Sequence, residues 1–200
     1  RTVRIQSENT CRSFTGNSIS TVGIKRSIRT NHNTTVNNGS RCLGESKIFY
    51  AKKLNDCRIR KIRLVPEHPQ PLPDALEAIA DADVIVLGPG SLYTSIIPNF
   101  LVDGISEAVS RARALKCYVL NIMTQDGETD GYTAADHIKA IFAHAGEDVM
   151  DVCIANNRKV SAEFLEPYRK EGVEQILATR EEVEENPRSR SAKLRVAERV

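Results

Sequence analysis

Two hundred residues, 40% of them hydrophobic and 27% charged, give enough chain for one domain with a substantial core. The net charge is only +2, no apolar run approaches the length of a membrane span, and no charged-then-apolar leader opens the chain, so the reading is a cytosolic protein without a membrane span. The five cysteines, Cys11, Cys42, Cys57, Cys117 and Cys153, are scattered with no C-x-x-C pair, which excludes a disulfide framework and a spaced zinc site.

The charge is unevenly spread. Residues 1–46 hold seven Lys or Arg against two acidic residues, and twenty Ser, Thr or Asn. No helical or alternating period runs long enough there to bury a face, so residues 1–43 read as a divergent, polar, basic segment with the composition of a disordered arm. With Phe14 its one aromatic residue before position 43, and without an RNA-binding signature, a nucleic-acid partner is disfavoured.

From residue 44 to 177 the pattern becomes that of an α/β domain. Arg60 to Val65 alternate basic and apolar residues, as an edge-type strand does. Prolines 66, 69, 71 and 73 then interrupt regular structure. Pro73 to Ala82 restarts as a short helix, with Pro73 in its first turn and Leu76 and Ile79 facing inward.

The most informative stretch follows. Val84-Ile-Val-Leu87 is an apolar, β-branched run expected to form a buried parallel strand. It stops at Gly88-Pro-Gly-Ser-Leu-Tyr-Thr-Ser95, a glycine- and hydroxyl-rich loop that leads past Pro98 into a helix expected to continue to Arg113. Gly88 and Gly90 let the backbone turn and bring N–H groups close to an anion, the helix end faces back toward the loop, and Ser91, Thr94 and Ser95 supply hydroxyls. The spacing is neither a G-x-G-x-x-G fingerprint, since Tyr93 stands at the third glycine position, nor a Walker loop, since no Lys follows.

The alternation then repeats: a strand over Cys117 to Ile122, a helix from Thr133 to Ala145 capped by Thr133, a strand over Val149 to Ala155, and a helix from Ser161 to Lys170. Strand and helix in turn predict a Rossmann-like, three-layer α/β fold with a mainly parallel sheet, in which ligands collect at the carboxyl ends of the strands. The second loop at such an end, Met123 to Tyr132, brings Asn121, Thr124, Gln125 and Tyr132, polar groups suited to a sugar or base. A solvated acidic turn is the alternative for that loop. Asp126, Glu128 and Asp130 suit a Mg²⁺ ion or plain surface acidity equally well. His137 and His144 lack a partner at metal-ligand spacing and read as structural or exposed. No metal site, nucleophile or catalytic arrangement is assigned. Residues 178–200 form a charged tail, expected as a frayed helix.

GPGSLYTSIIPNFLVDGISEAV and YVLNIMTQDGETDGYTAADHIKAI together resemble the bacterial gluconeogenesis factors, relatives of the 2-phospho-L-lactate transferase that builds a deazaflavin cofactor. The resemblance runs from about Gly44 to Asn157, as the C-terminal portion of that CofD-like family. It implies a cytoplasmic regulator, needed for growth and normal cell shape on gluconeogenic carbon sources, that binds a UDP-sugar, with a homo-oligomer as the expected assembly. On it, Gly88, Pro89, Gly90, Ser91, Thr94 and Ser95 cradle the diphosphate, and Asn121, Thr124, Gln125 and Tyr132 contact the rest of the ligand. The alternative it leaves open is a Mg²⁺-dependent transferase acting on a nucleotide diphosphate-linked donor.

Overall fold

In a computed structural model, residues 58–156 and 158–177 are described in full, together with the backbone of residues 2–6, 19–23, 31–36, 41–43 and 193–196. The strands are β1 (Thr2–Gln6), β2 (Ile19–Gly23), β3 (Asn31–Val36), β4 (Arg41–Leu43), β5 (Ile59–Val65), β6 (Val84–Leu87), β7 (Leu115–Val119), β8 (Val152–Ala155) and β9 (Lys193–Val196). The helices are α1 (Pro73–Ala80), α2 (Ile97–Phe100), α3 (Ile105–Arg111), α4 (Ala134–Ala145) and α5 (Ala162–Lys170), with a π-helical turn at Leu92–Ile96 and a short 3₁₀ turn at Glu147–Val149.

Six strands form one parallel sheet in the order β2-β1-β6-β7-β8-β9. Three more, β4-β3-β5, form a small antiparallel sheet with β5 at its edge. The α/β architecture is the one the alternating pattern predicts. Parallel neighbours need crossovers, and between β6, β7 and β8 these are α2 with α3, and α4. The order places β2 on one side of β1 and β6 on the other, so the winding reverses between β1 and β6. At such a switch point the loops leave the strand ends in opposite directions and open a crevice.

The apolar positions explain the packing. Ile85 and Leu87 of β6 are buried, while Val84 and Val86 are half-buried. Ile85 and Leu87 join Ile79 of α1, Ile97 and Phe100 of α2, Ile105 and Val109 of α3, Tyr118 of β7 and Ile141 of α4 in one cluster that also takes Ile59 and Ile62 from β5. Each such side chain withdrawn from water contributes about 1.5–3 kcal/mol before the entropy of ordering is subtracted. Cys117 and Cys153 are free and buried, and burial, with Cys117 nearby, pushes the Cys153 thiol up to about 12, so both are inert core residues.

Several boundaries differ from those the sequence predicts. The helix expected after Pro98 is two pieces, because Gly104 takes a left-handed conformation (φ 75°) at the start of α3. The strand expected from Val149 begins at Val152, because Gly146 ends α4 and residues Glu147–Val149 coil into the 3₁₀ turn. Where a frayed tail helix is expected, Lys193–Val196 pairs in parallel with β8; the remainder of residues 178–200 lies outside the described residues. The arm read into residues 1–43 also falls largely outside them, and what is described of that segment is the backbone of β1 to β4. Among the described residues no helix is long and apolar enough to cross a membrane.

Candidate functional site

The loop after β6 is shaped by what a side chain would strike. Gly88 has φ 74°, and a Cβ on it would lie 3.0 Å from the carbonyl oxygen of Val119 and 3.2 Å from Ile96 Cδ1, tighter than most Cβ contacts. Only glycine turns the chain this sharply against the end of β7. At Gly90 a Cβ would make only ordinary van der Waals contact, the nearest atom being Ser95 Cβ at 3.5 Å.

Beyond Gly90 the backbone coils at once into the π-helical turn. The Ser91 carbonyl accepts from both Ser95 N–H (2.9 Å) and Ile96 N–H (3.0 Å). Asn99 then reaches back from α2, its amide donating to the Ser95 carbonyl at 2.6 Å. The first N–H groups of any helix lack intrahelical acceptors, and the wide turn leaves those of Leu92 and Thr94 without one among the described residues. They sit with the half-buried Ser91 and Ser95 and the exposed Pro89 at the carboxyl end of β6, next to β1. This is the arrangement in which backbone donors and a helix end favour an anion.

Asn121, at the end of β7, is bound to this loop. Its Oδ1 accepts from Gly90 N–H (3.1 Å) and its Nδ2 donates to the Gly90 carbonyl (2.9 Å). Only one orientation of the amide satisfies both bonds, so the assignment of oxygen and nitrogen is fixed by the network. Two further contacts join the loops. Glu128, buried, accepts from Tyr93 N–H at 3.4 Å, and the Tyr93 and Tyr132 hydroxyls lie 2.8 Å apart. Burial, with the Tyr132 hydrogen bond second, pushes the Tyr93 phenol well above its ordinary range, so it stays protonated and can donate.

Beneath Tyr93 lies His144, edge-on at 6.1 Å between ring centroids. His144 Nδ1 sits 2.7 Å from the Ala140 carbonyl and must donate to it, which leaves Nε2 to accept from Ile62 N–H at 3.2 Å. Burial lowers the pKa of His144, against the backbone hydrogen bond that raises it. His137 is fully buried, with Nδ1 2.8 Å from the Thr133 carbonyl and its ring edge-on to Tyr132. Both histidines are structural, and neither is exposed.

The second loop is held by its own side chains. Thr129 Oγ1 accepts from Gln125 N–H (2.9 Å), Asp130 Oδ2 from Gly127 N–H (3.0 Å), and Thr133 with Asp136 completes a capping box on α4. Thr124 is buried and faces away from an open ligand role: its N–H donates to the Glu174 carbonyl (2.7 Å) and its Oγ1 accepts from Glu174 N–H (2.8 Å). Gln125 is exposed and Tyr132 half-buried. Asp126, Glu128 and Asp130 do not converge, and among the described residues no three His, Cys, Asp or Glu side chains come together to hold a metal.

Of the ten positions the sequence singles out, the fold brings Gly88 to Ser95 and Asn121 together, sets Tyr132 against them through Tyr93, and commits Thr124 to the Glu174 segment. The reading missed Tyr93 and Glu128 as the link between the loops. A large aromatic residue inside each of two small-residue loops was the available signal.

The chain is similar to known proteins over most of its length. The family model described as 2-phospho-L-lactate transferase CofD matches residues 27–194. A gluconeogenesis factor of Halalkalibacterium halodurans is 46% identical over 139 residues, covering 70% of this chain and 42% of that protein. One of Bacillus subtilis is 45% identical over 119 residues, covering 60% and 38%. A crystal structure of a UPF0052 family member from Bacillus halodurans superposes with a TM-score of 0.80 at 35% identity, over 90% of this chain and 56% of that one. The chain thus spans well under two thirds of the length of the relatives it matches, and it belongs to the CofD family, where its relatives include bacterial gluconeogenesis factors.

Proposed function

We propose that this chain carries the ligand site of a cytoplasmic gluconeogenesis factor, a UDP-sugar-binding regulator required for growth and normal cell shape on gluconeogenic carbon sources. The observation that carries the reading is the Gly88–Ile96 turn at the β1/β6 switch point, with the N–H groups of Leu92 and Thr94 given no backbone acceptor among the described residues. A diphosphate is the ligand group that uses such donors best, because each oxygen accepts a charge-assisted bond and the helix end offsets its charge. Ser91, Thr94 and Ser95 would add hydroxyls. Gln125, exposed beside the loop, would contact the sugar or base. The relatives named gluconeogenesis factors support a role in gluconeogenesis, and a homo-oligomer is the expected assembly.

The second reading is a transferase that moves a phosphorylated group from a nucleotide diphosphate-linked donor, favoured by the description of the matching family. It asks the chain to hold donor and acceptor in register and to neutralise charge. The described residues supply positioning through the turn, with the Glu128 carboxylate bonded to its Tyr93 N–H, but no cluster of three His, Cys, Asp or Glu side chains that could hold a metal.

Thermal unfolding with UDP-glucose, UDP, ATP and NAD, each with and without Mg²⁺, tests both. A ligand present at 100 times its dissociation constant adds about 2.7 kcal/mol to the folded state. Stabilisation by UDP-glucose above UDP, without a metal requirement, is the expected result. An obligatory Mg²⁺ would transfer support to the transferase, and no shift with any nucleotide would sink the reading.

A further inference from the structure

We infer that Asn121 is a positioning residue: it acts on the ligand through Gly90, by clamping the two peptide groups that meet there. This rests on the diphosphate reading of the turn and assigns Asn121 a part in that same site.

The geometry argues it in three steps. The side-chain amide of Asn121 commits one oxygen lone pair and one N–H to Gly90, at 3.1 and 2.9 Å. An amide bonded at both ends to one residue is fixed in orientation, and it fixes that residue in turn. Next, Gly90 is the residue at which the backbone passes from the Gly88 turn into the π-helical turn, and its nearest Cβ neighbour stands at 3.5 Å. The two bonds to the Asn121 amide hold the peptide planes on either side of it. Last, the path of the π-helical turn, and with it the direction of its first N–H groups, follows from the orientation of those peptides, because the next residue, Ser91, is its cap. The Glu128 to Tyr93 N–H bond and the Tyr93–Tyr132 hydroxyl pair fix the far side of the same turn. The loop after β7 thus works as a brace for the loop after β6. Fixed donors bind an anion without an ordering cost at the moment of binding.

A contact residue and a positioning residue give opposite patterns with two probes. Inorganic pyrophosphate and UDP-glucose are titrated against wild type, Asn121→Ala and Asn121→Asp, with unfolding midpoints and amide hydrogen exchange at Gly90 followed in each. If Asn121 positions the turn, Asn121→Ala weakens both probes by the same factor, about tenfold for a charge-assisted contact set out of line. Gly90 N–H then exchanges at least about tenfold faster, while the global unfolding midpoint barely moves. Asn121→Asp keeps the acceptor but sets a carboxylate oxygen against the Gly90 carbonyl, so it weakens both probes without restoring protection. If UDP-glucose weakens while pyrophosphate does not, Asn121 is a ligand contact and the inference is overturned. Unchanged exchange at Gly90 in Asn121→Ala overturns it as well, even if no probe binds wild type. Silence of both probes toward wild type, with the Gly90 exchange result as expected, would remove the diphosphate reading and leave the clamp standing.

Discussion

The two loops at the carboxyl ends of β6 and β7 solve the same problem with different means. The first, Gly88 to Ile96, is held by backbone: a left-handed glycine pressed on Val119, a doubly accepting Ser91 carbonyl and a wide helical turn. The second, Met123 to Tyr132, is held by side chains, with Thr124, Thr129 and Asp130 each satisfying a nearby N–H. A loop that satisfies its own donors has few to give away. A loop held by its backbone path, and braced from outside by Asn121, keeps N–H groups free for a ligand.

If that contrast is right, the loops fail differently. Gly88→Ala should have the largest effect, because it forces an alanine to φ 74° and sets a Cβ 3.0 Å from the Val119 oxygen. A loss of about 2–4 kcal/mol in urea unfolding is expected; a loss below about 1 kcal/mol would show that the turn relaxes and that its backbone is not the constraint.

Thr124→Val should cost less, about 1–3 kcal/mol, since it removes the acceptor of Glu174 N–H and leaves a buried donor unpaired. Faster amide exchange at Glu174 would locate the damage there, whereas a spread over the first loop would argue that the two regions are one unit.

Acid probes the floor beneath Tyr93. The folded pKa of His144 is lowered by burial, so the unfolded chain takes up the proton first. The stability this neutral ring contributes is complete above the ordinary histidine range and is lost as pH falls through and below it. Protonation turns Nε2 into a donor facing the Ile62 N–H. Unfolding in urea at pH 7.5 and pH 5 should show that decline, and His144→Gln should flatten it. An identical decline in the variant would assign the pH dependence to other groups. A still more local change, Thr133→Ala, removes half of the capping box on α4 and should cost about 1 kcal/mol, with the midpoint of unfolding as the readout.

How far the sequence carries can be judged at particular residues. Val84–Leu87, the glycine turn and the Thr133 cap are legible because a β-branched apolar run, paired glycines and a capping Thr are local signals that tertiary contacts reinforce. The break at Gly104 and the 3₁₀ turn at Glu147–Val149 are not, since either glycine would also be tolerated within or just past a longer helix. The place of β1 beside β6 is a long-range pairing, and nothing in Thr2–Gln6 alone announces it. In the site, residue types point to the loops but not to partners. Asn121 and Thr124 look alike as polar residues at a strand end, yet one braces Gly90 and the other ties down Glu174. Only the fold separates them.

Gly90 provides the finest test of the comparison, because it differs from Gly88 in one respect that matters. Both belong to the same loop, but Gly90 has no left-handed φ and its would-be Cβ meets nothing closer than 3.5 Å. The fold therefore does not need glycine there, and Gly90→Ala should leave stability within about 0.5 kcal/mol of wild type. Its Asn121 bonds run through the backbone and survive the change. What an added methyl does alter is how closely a phosphate can approach the N–H groups that follow. Weaker UDP-glucose binding at unchanged stability, measured by calorimetry beside the unfolding curve, is the expected outcome. Unweakened binding would mean that the ligand does not approach the loop from the side a Cβ would occupy, and the donors at Leu92 and Thr94 would then be reached from the β1 side of the crevice.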